Sequence, residues 1–361
     1  MKTLKIWIAT GGTGGHVFPA IAVATELARR GHRVIISSDG RTMDMVRKNR
    51  PADTGIAFIW AGGVGAKSKL QQAWALFKIG MSAAALTLRF MLFRPAAIVS
   101  FGGYASVPAV LAAHIWKIPI FLHEQNAAIG RANAFALRWV GTLMTSFPAV
   151  AGVNSRQSKV DNKLKVVYTG LPVRTEFNMK TDCLPSTVCC RLLVTGGSLG
   201  ATILDEIVPA AVAALPAAMK KKLFIVHQTR PDAVNRLRAQ YEKMGVRANV
   251  LSFIHDMADQ MRSADLVISR AGASTVVELQ TLGKPAILVP LSINPDQPAN
   301  AAAFVKNGGG FNIPQNKFTT KWLAATLSDL FSNPARLAKM ADKARVPNDA
   351  VNKIVEVITK S

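Results

Sequence analysis

Lys5-Ile6-Trp7-Ile8-Ala9-Thr10-Gly11-Gly12-Thr13-Gly14-Gly15-His16-Val17-Phe18-Pro19 decides the fold. A short apolar, β-rich run meets a glycine-rich turn. The helical pattern Ala20–Arg30 follows, and Gly31 ends it as a C-cap. Strand, loop and helix in that order form one half of a βαβ unit. Glycines let the backbone approach a ligand closely, and the helix N-terminus adds partial positive charge, so the loop suits a phosphate. A dinucleotide is one candidate, because Asp39 closes the second strand where a ribose-binding acid would sit. The spacing, however, is G-G-T-G-G-H and not G-x-G-x-x-G.

Outward from this stretch, short apolar runs alternate with helical patterns. Strands are expected at Lys5–Ala9, Val34–Ser38, Ala97–Ser100, Pro119–Leu122 and Thr142–Ser146. The pattern then restarts with Arg191–Thr195, the loop Gly196-Gly197-Ser198-Leu199-Gly200 and a helix over Ala201–Ala214. Further strands are expected at Leu223–His227, Asn249–Leu251, Asp265–Ser269 and Ala286–Pro290. This predicts an α/β protein of two successive domains, each a parallel sheet with helices on both faces. The boundaries fall at 1–173 and 174–344. The last helical pattern, Asn348–Lys360, could pack on either domain, and 345–361 is placed back on the first.

The length of 361 residues also exceeds one ordinary hydrophobic core. Half the residues are hydrophobic and 18% charged, which excludes a disordered chain. Lys and Arg number 44 against 21 Asp and Glu, a net charge of +23. That charge fits nucleic acid or an anionic membrane surface. No nucleic-acid recognition motif accompanies it, so nucleic acid is not an expected partner. Cys183, Cys189 and Cys190 lack C-x-x-C spacing, which argues against a disulfide framework or zinc site. The N-terminus lacks the pattern of a signal peptide, and a cytoplasmic protein is expected.

Residues 70–93 are unusually apolar. Leu70, Trp74, Phe77, Met81, Ala85, Leu88 and Leu92 share one helical face, and Gln71, Lys78, Ser82 and Arg89 form a narrow polar strip. Lys78 and Arg89 interrupt the run, which argues against a transmembrane span. A mostly buried core helix and a helix that dips into a lipid interface both remain open.

Four loops follow strands: Gly11–Gly15, Gly102-Gly103-Tyr104, Gly196–Gly200 and Arg270–Glu278. All fall at the carboxyl edges of the sheets, where open α/β sheets bind ligands, so a cleft between the domains is expected. Bland readings exist. Thr275-x-x-Glu278 is also a capping-box pattern, His16 could merely begin a helix, Asn126 could be a turn residue and Tyr104 a packed aromatic. No Asp-x-Asp occurs, so helix N-termini and basic groups would have to stabilise a diphosphate leaving group.

The motifs occur in a specific order. Gly11–Pro19, Phe101-Gly102-Gly103-Tyr104, His123-Glu124-Gln125-Asn126 and Pro172-Val173-Arg174-Thr175 lie in the first half. Gly196–Ala201, Phe253-Ile254-His255-Asp256-Met257, Ser269–Glu278 and Gln297-Pro298-Ala299-Asn300-Ala301 lie in the second. Over nearly the whole chain this resembles the MurG family, within glycosyltransferase family 28. The resemblance implies the GT-B fold, two Rossmann-like domains with parallel sheets facing across a cleft. It implies inverting, metal-free transfer of N-acetylglucosamine from UDP-GlcNAc to the C4 hydroxyl of the N-acetylmuramoyl unit of lipid I, giving lipid II, with no cofactor.

Carried over residue by residue, the resemblance puts Ser198 at the donor diphosphate, with Arg174 near the phosphates. Ile254 would meet the uracil, Ala273, Ser274, Thr275, Val276 and Val277 would line the nucleotide, and Glu278 would hold the ribose hydroxyls. Gln297 would hold GlcNAc hydroxyls. From the first domain, Thr13, Gly14, Gly15 and Asn126 would reach the transferred sugar. Gly102, Gly103, Tyr104 and Glu124 would serve the acceptor side, and His16 would be the general base or orient the acceptor. The family's peripheral seat on the cytoplasmic face of the inner membrane implies an apolar patch of Trp74, Phe77 and Met81, with Trp116 as an addition. Other cell-wall synthesis proteins are candidate partners. The chain departs from the family at Leu171, which replaces the usual Asn, at Ser37-Ser38-Asp39-Gly40, which lacks Gly-Thr, and in the loop Gly62–Ser68, which has fewer basic residues. A related transferase acting on another lipid such as diacylglycerol, a non-catalytic nucleotide-binding or membrane scaffold, and a nicotinamide dehydrogenase are the competing readings.

Overall fold

Alternation along Lys5–Ala9 sends Ile6 and Ile8 to one face and Trp7 and Ala9 to the other, and all four are buried. A strand buried on both faces belongs in the middle of a parallel sheet. In a computed structural model of the chain, which describes residues 3–62, 68–153, 164–179, 190–197, 200–293 and 295–360, this run is the central strand β1. The chain divides into two compact units, Met1–Arg174 with Asn348–Ser361, and Thr175–Pro347.

In the first unit, β1 is followed by β2 (Arg33–Asp39), β3 (Gly55–Ile59), β4 (Ala97–Ser100), β5 (Ile120–Glu124), β6 (Thr142–Thr145) and β7 (Lys165–Tyr168). Their order is β3-β2-β1-β4-β5-β6-β7, parallel throughout, with Ile6 opposite Val34 on one side and Ala97 on the other. Ile6 and Ile8 pack with Val17, Ala20 and Leu27 of the helix Gly14–Arg29. Ile354, Val355 and Ile358 of the final helix, Ala350–Thr359, join the same core. Asn348 Nδ2 donates to the Leu171 carbonyl at 3.0 Å and Arg30 Nη2 to Asn352 Oδ1 at 2.7 Å, which anchors that returning segment. On the other face, Trp7 and Ala9 pack with Leu86, Phe90 and Val110.

The second unit repeats the plan with β8 (Cys190–Thr195), β9 (Leu223–Gln228), β10 (Arg247–Leu251), β11 (Leu266–Ser269), β12 (Ala286–Leu288) and β13 (Gly310–Asn312). The order β10-β9-β8-β11-β12-β13 is again parallel throughout. Two parallel-sheet α/β units are as the sequence predicts. The sequence reading misses β3, β7 and β13, all edge strands.

The helix Lys69–Leu92 begins with a capping box between Ser68 and Gln71. It buries Ala75, Ile79, Ser82, Ala83, Leu86 and Phe90 and leaves Leu70, Trp74, Phe77, Met81, Leu88 and Leu92 exposed. The core-helix reading is thereby corrected. Both faces are apolar, so periodicity finds the stripe without saying which side is inside. The polar strip divides, with Ser82 facing inward while Gln71 and Arg89 stay exposed. Ser82 is buried, the Lys78 ammonium lies 5.1 Å from the Trp60 ring, and the Arg89 guanidinium lies 5.2 Å from the Trp7 ring.

Candidate functional site

In each unit the strand order reverses beside the central strand, and the reversal leaves a crevice at the carboxyl edge. In the first unit this is between β1 and β4, where Thr10–Thr13 and Phe101–Gly103 leave the sheet. The two loops touch. A Cβ on Gly103 would lie 2.7 Å from the Gly11 carbonyl oxygen, and Gly103 has φ 77°, so only glycine fits. Thr13 is the N-cap of the helix Gly14–Arg29, yet its side chain makes no capping hydrogen bond. The first-turn amides of Gly14 and Gly15 have no intrahelical acceptor by position. They form, with the helix dipole, a seat for negative charge.

His16 stands in that first turn, half-buried. Its Nδ1 lies 2.9 Å from the Phe101 carbonyl and 2.9 Å from Gln125 Oε1. Gln125 Nε2 donates to the Phe101 carbonyl at 2.7 Å and faces His123 Nδ1 at 3.5 Å. His123 Nε2 lies 2.9 Å from the Gly170 carbonyl. Complete burial, with the nearby His16 adding to it, pushes the His123 pKa down to about 4, against the partial support of the Gly170 carbonyl. Sequence reasoning quoted Gln125 within its motif but gave it no role. Nothing in a single sequence shows that His123 and Glu124, which end β5, and Gln125, which follows it, aim alternate side chains at opposite sides of the sheet.

Glu124 turns to the other side. Oε1 accepts from the Asn126 amide at 2.9 Å and Asn126 Nδ2 at 3.3 Å; Oε2 accepts from the Gly130 amide at 3.0 Å and Asn133 Nδ2 at 2.7 Å. The carboxylate is buried and organises the Asn126–Gly130 loop. Asn133, a second residue that the sequence reading missed, packs its amide where a Cβ on Gly102 would be 3.0 Å from Oδ1. Thr13, Gly14, Gly15, His16, Gly102 and Gly103 therefore meet at one crevice. Gln125 ties them to the Glu124–Asn126 cluster, and half-buried Tyr104 opens the turn after Gly103.

The dinucleotide reading fails at Asp39. That carboxylate is buried, with Thr42 Oγ1 at 2.8 Å on Oδ1 and Arg41 Nε at 2.8 Å and Nη2 at 2.6 Å on Oδ2. At 1% exposure the carboxylate is closed to a ribose.

In the second unit the reversal lies between β8 and β11. A Cβ on Gly196 would be 2.4 Å from the Ala201 amide nitrogen, so the loop after β8 closes too tightly for any other residue. Ser198 lies outside the described residues. Thr195 Oγ1 accepts from the Gly197 amide at 3.2 Å and donates to Gln228 Oε1 at 2.6 Å, which fixes the loop's first turn. The helix Thr202–Ala213 follows, and the buried Asp205 in its first turn accepts from Thr229 Oγ1 at 2.7 Å and faces His227 Nε2 at 3.2 Å.

After β11, Gly272 is the N-cap of the helix Ala273–Leu282. Thr275 is therefore inside the first turn and Glu278 in the second, too far along to reach back to the cap. The capping-box reading of Thr275 and Glu278 falls. Glu278 is buried with Ala273, Val276 and Val277, while Ser274 and Thr275 are half-buried. Asn300 Nδ2 donates to the Ala271 carbonyl at 3.1 Å and braces this turn. Arg270 donates to the Val289 carbonyl and to Gln315 Oε1, both at 2.9 Å, and burial lowers its pKa. Gln297, in the first turn of the helix Asp296–Val305, accepts the Leu291 amide at 2.9 Å. Ile254 is buried beside exposed Phe253, and Arg174 is half-buried at the end of the first unit.

The patch residues form an aromatic cluster. Trp74 is 52% exposed, Phe77 50% and Met81 51%. Trp60 meets Trp74 edge-on at 5.6 Å, and Trp74 stacks on Phe77 at 5.3 Å. Trp116 is corrected: its Nε1 donates to the Thr87 carbonyl at 2.8 Å and its ring packs on the core, so the exposed neighbour is Ile115.

Comparison with known proteins agrees with this architecture. The family model described as the glycosyltransferase family 28 N-terminal domain matches residues 6–145, and that of the family 28 C-terminal domain matches residues 191–358. A Methylobacterium radiotolerans protein is 39% identical over 99% of this chain and 98% of its own length. One from Paramagnetospirillum magneticum is 40% identical over 96% and 93%. Both carry the name UDP-N-acetylglucosamine--N-acetylmuramyl-(pentapeptide) pyrophosphoryl-undecaprenol N-acetylglucosamine transferase. The crystal structure of Acinetobacter baumannii MurG superposes with a TM-score of 0.79 at 30% identity, covering 99% of this chain and 100% of that one. With two glycine-rich switch points, paired family 28 domains and near-full-length relatives, the chain belongs to the MurG family of glycosyltransferase family 28.

Proposed function

We propose that the chain transfers N-acetylglucosamine from UDP-GlcNAc to the C4 hydroxyl of the N-acetylmuramoyl unit of lipid I, giving lipid II and UDP. The names of its near-full-length relatives carry the substrate assignment. The observation that carries the chemistry is His16, a half-buried imidazole in the first turn of an uncapped helix, held by two acceptors on Nδ1.

In the proposed step the acceptor O4 attacks C1 of GlcNAc as the C1–O bond to the β-phosphate breaks. The bonding pair leaves with UDP, the O4 proton passes to His16 Nε2, and the anomeric centre inverts. An imidazole nitrogen within reach of the acceptor hydroxyl suits general-base catalysis. The Gly196–Gly200 loop and the start of the helix Thr202–Ala213 bind the leaving diphosphate, with Ser198 and Arg174 assisting. Ile254 and Ala273–Val277 hold the nucleoside, Glu278 the ribose and Gln297 the sugar. Thr13, Gly14, Gly15 and Asn126 address the transferred sugar, and Gly102, Gly103, Tyr104 and Glu124 shape the acceptor side. No Asp-x-Asp pair is present to recruit a metal, so a metal-independent reaction is proposed.

The exposed stripe seats the enzyme peripherally on the cytoplasmic face of the inner membrane. Burying Trp74, Phe77 and Met81 would contribute roughly 1.5–3 kcal/mol each at most, and nearby lysines and arginines about 1 kcal/mol each on an anionic surface. The test is an acceptor and donor panel. UDP-GlcNAc with a lipid I analogue should give a β-linked disaccharide. Faster transfer to diacylglycerol, or an α-linked product, would overturn the reading.

A further inference from the structure

The hydrogen bonds around His16 form a chain with only one consistent set of proton positions. The Phe101 carbonyl can only accept. His16 Nδ1 at 2.9 Å from it must therefore be the donor, and so must Gln125 Nε2 at 2.7 Å. The second contact fixes the orientation of the Gln125 amide, because the flipped amide would set two oxygens against each other. Gln125 Oε1 then faces His16 Nδ1 at 2.9 Å as a second acceptor for the same proton. At the far end the Gly170 carbonyl, 2.9 Å from His123 Nε2, requires the proton there. That leaves His123 Nδ1 as an acceptor toward Gln125 Nε2 at 3.5 Å. Every member agrees, from the Gly170 carbonyl through His123 and Gln125 to His16.

We infer that Gln125, backed by buried His123, is a positioning residue: its Oε1 is the second acceptor that, together with the Phe101 carbonyl, holds the proton of neutral His16 on Nδ1 and so leaves Nε2 as the basic nitrogen. His16 Nε2 has no hydrogen-bond partner among the described residues. The inference rests on His16 as general base for its catalytic meaning, but the tautomer is a property of the free protein. Burial keeps His123 uncharged at neutral pH, so its Nδ1 stays an acceptor. In this chain a neutral amide does the orienting that a carboxylate does for the histidine of a catalytic triad. An amide fixes the tautomer without stabilising the imidazolium through a full charge.

Two readouts test this. Long-range 1H–15N correlation spectra of histidine-labelled full-length protein, with His16 assigned through His16→Gln, report the tautomer directly. The expected result is protonated Nδ1 in the wild type and, in Gln125→Met, where the Phe101 carbonyl is left as the remaining acceptor, a partial shift toward protonated Nε2. The same variant should lose about tenfold or more in kcat, up to the roughly 10²–10⁴-fold that general-base catalysis contributes in full, with UDP affinity retained. A wild-type His16 with its proton on Nε2, or a tautomer unchanged in Gln125→Met, overturns the inference. Wild-type turnover by His16→Ala would instead overturn the base assignment alone.

Discussion

Ser82 Oγ accepts from the Trp60 amide and donates to the Trp60 carbonyl, both at 3.0 Å. One buried hydroxyl thus satisfies both polar groups of the residue that follows β3. This pair pins the polar edge of the helix Lys69–Leu92 to the sheet and so turns its apolar stripe outward. Ser82→Val should remove both part-buried hydrogen bonds to Trp60 and destabilise the protein by about 1–3 kcal/mol, read as a lower melting temperature. An unchanged melting temperature would mean that the hydroxyl does not set the helix's placement.

The outward stripe predicts membrane binding. Trp74→Ser with Phe77→Ser should weaken association with anionic vesicles by tenfold or more, since each ring is expected to add roughly 1.5–3 kcal/mol at most. Turnover with a water-soluble acceptor analogue should stay near wild type. Sedimentation with vesicles gives the first quantity, and equal binding by the variant would remove the patch from the account.

The four donors on Glu124 predict that a neutral isostere fails. In Glu124→Gln an amide NH2 must face at least one of the Asn126 amide, the Gly130 amide and Asn133 Nδ2. The cost should be about 1–3 kcal/mol of stability, with loss of transfer as the Asn126–Gly130 loop shifts. Calorimetry and a transfer assay measure the two effects.

His123 predicts a pH dependence. Its folded pKa near 4 lies below the 6.5 of an exposed histidine, so the unfolded chain binds a proton that the folded chain does not. The stabilisation is whole above pH 6.5 and declines as pH falls toward 4, by a total on the order of 3 kcal/mol. His123→Asn removes this dependence. The stability gap between wild type and variant should therefore narrow from pH 7.5 to pH 4.5 in thermal unfolding, and a constant gap would contradict it.

The buried Glu278 predicts a further variant effect. Glu278→Ala should weaken UDP binding roughly 10–100-fold, the equivalent of losing a charged hydrogen bond, by titration calorimetry. Affinity equal to wild type would remove Glu278 from the ribose site.

How far the sequence carried these conclusions depended on where each residue sits in its sheet. Central strands such as Lys5–Ala9 and Ala97–Ser100 read directly, because both faces are buried and the runs are continuously apolar. The edge strands β3, β7 and β13 were missed. Lys165–Tyr168 is mostly exposed and Gly310–Asn312 has two non-apolar residues in three, so their pairing comes from a neighbour's open edge and not from their own pattern. The glycine-rich loops were legible, since close backbone approach leaves a residue-type signature. Gln125 and Asn133 were not, because their partners are a backbone carbonyl 24 residues away and a buried carboxylate 9 residues away, brought close by the turns of the chain. Trp116 went astray for a similar reason: its indole proton finds the Thr87 carbonyl, 29 residues away, and that bond turns the ring inward.

The most direct measurement is release of UDP from UDP-GlcNAc in the presence of a lipid I analogue, with and without EDTA. One disaccharide-lipid should form per UDP released, at the same rate in both conditions. Folded protein that binds UDP-GlcNAc but forms no lipid II product would contradict the proposed transfer, and loss of turnover on chelation would contradict the metal-free mechanism.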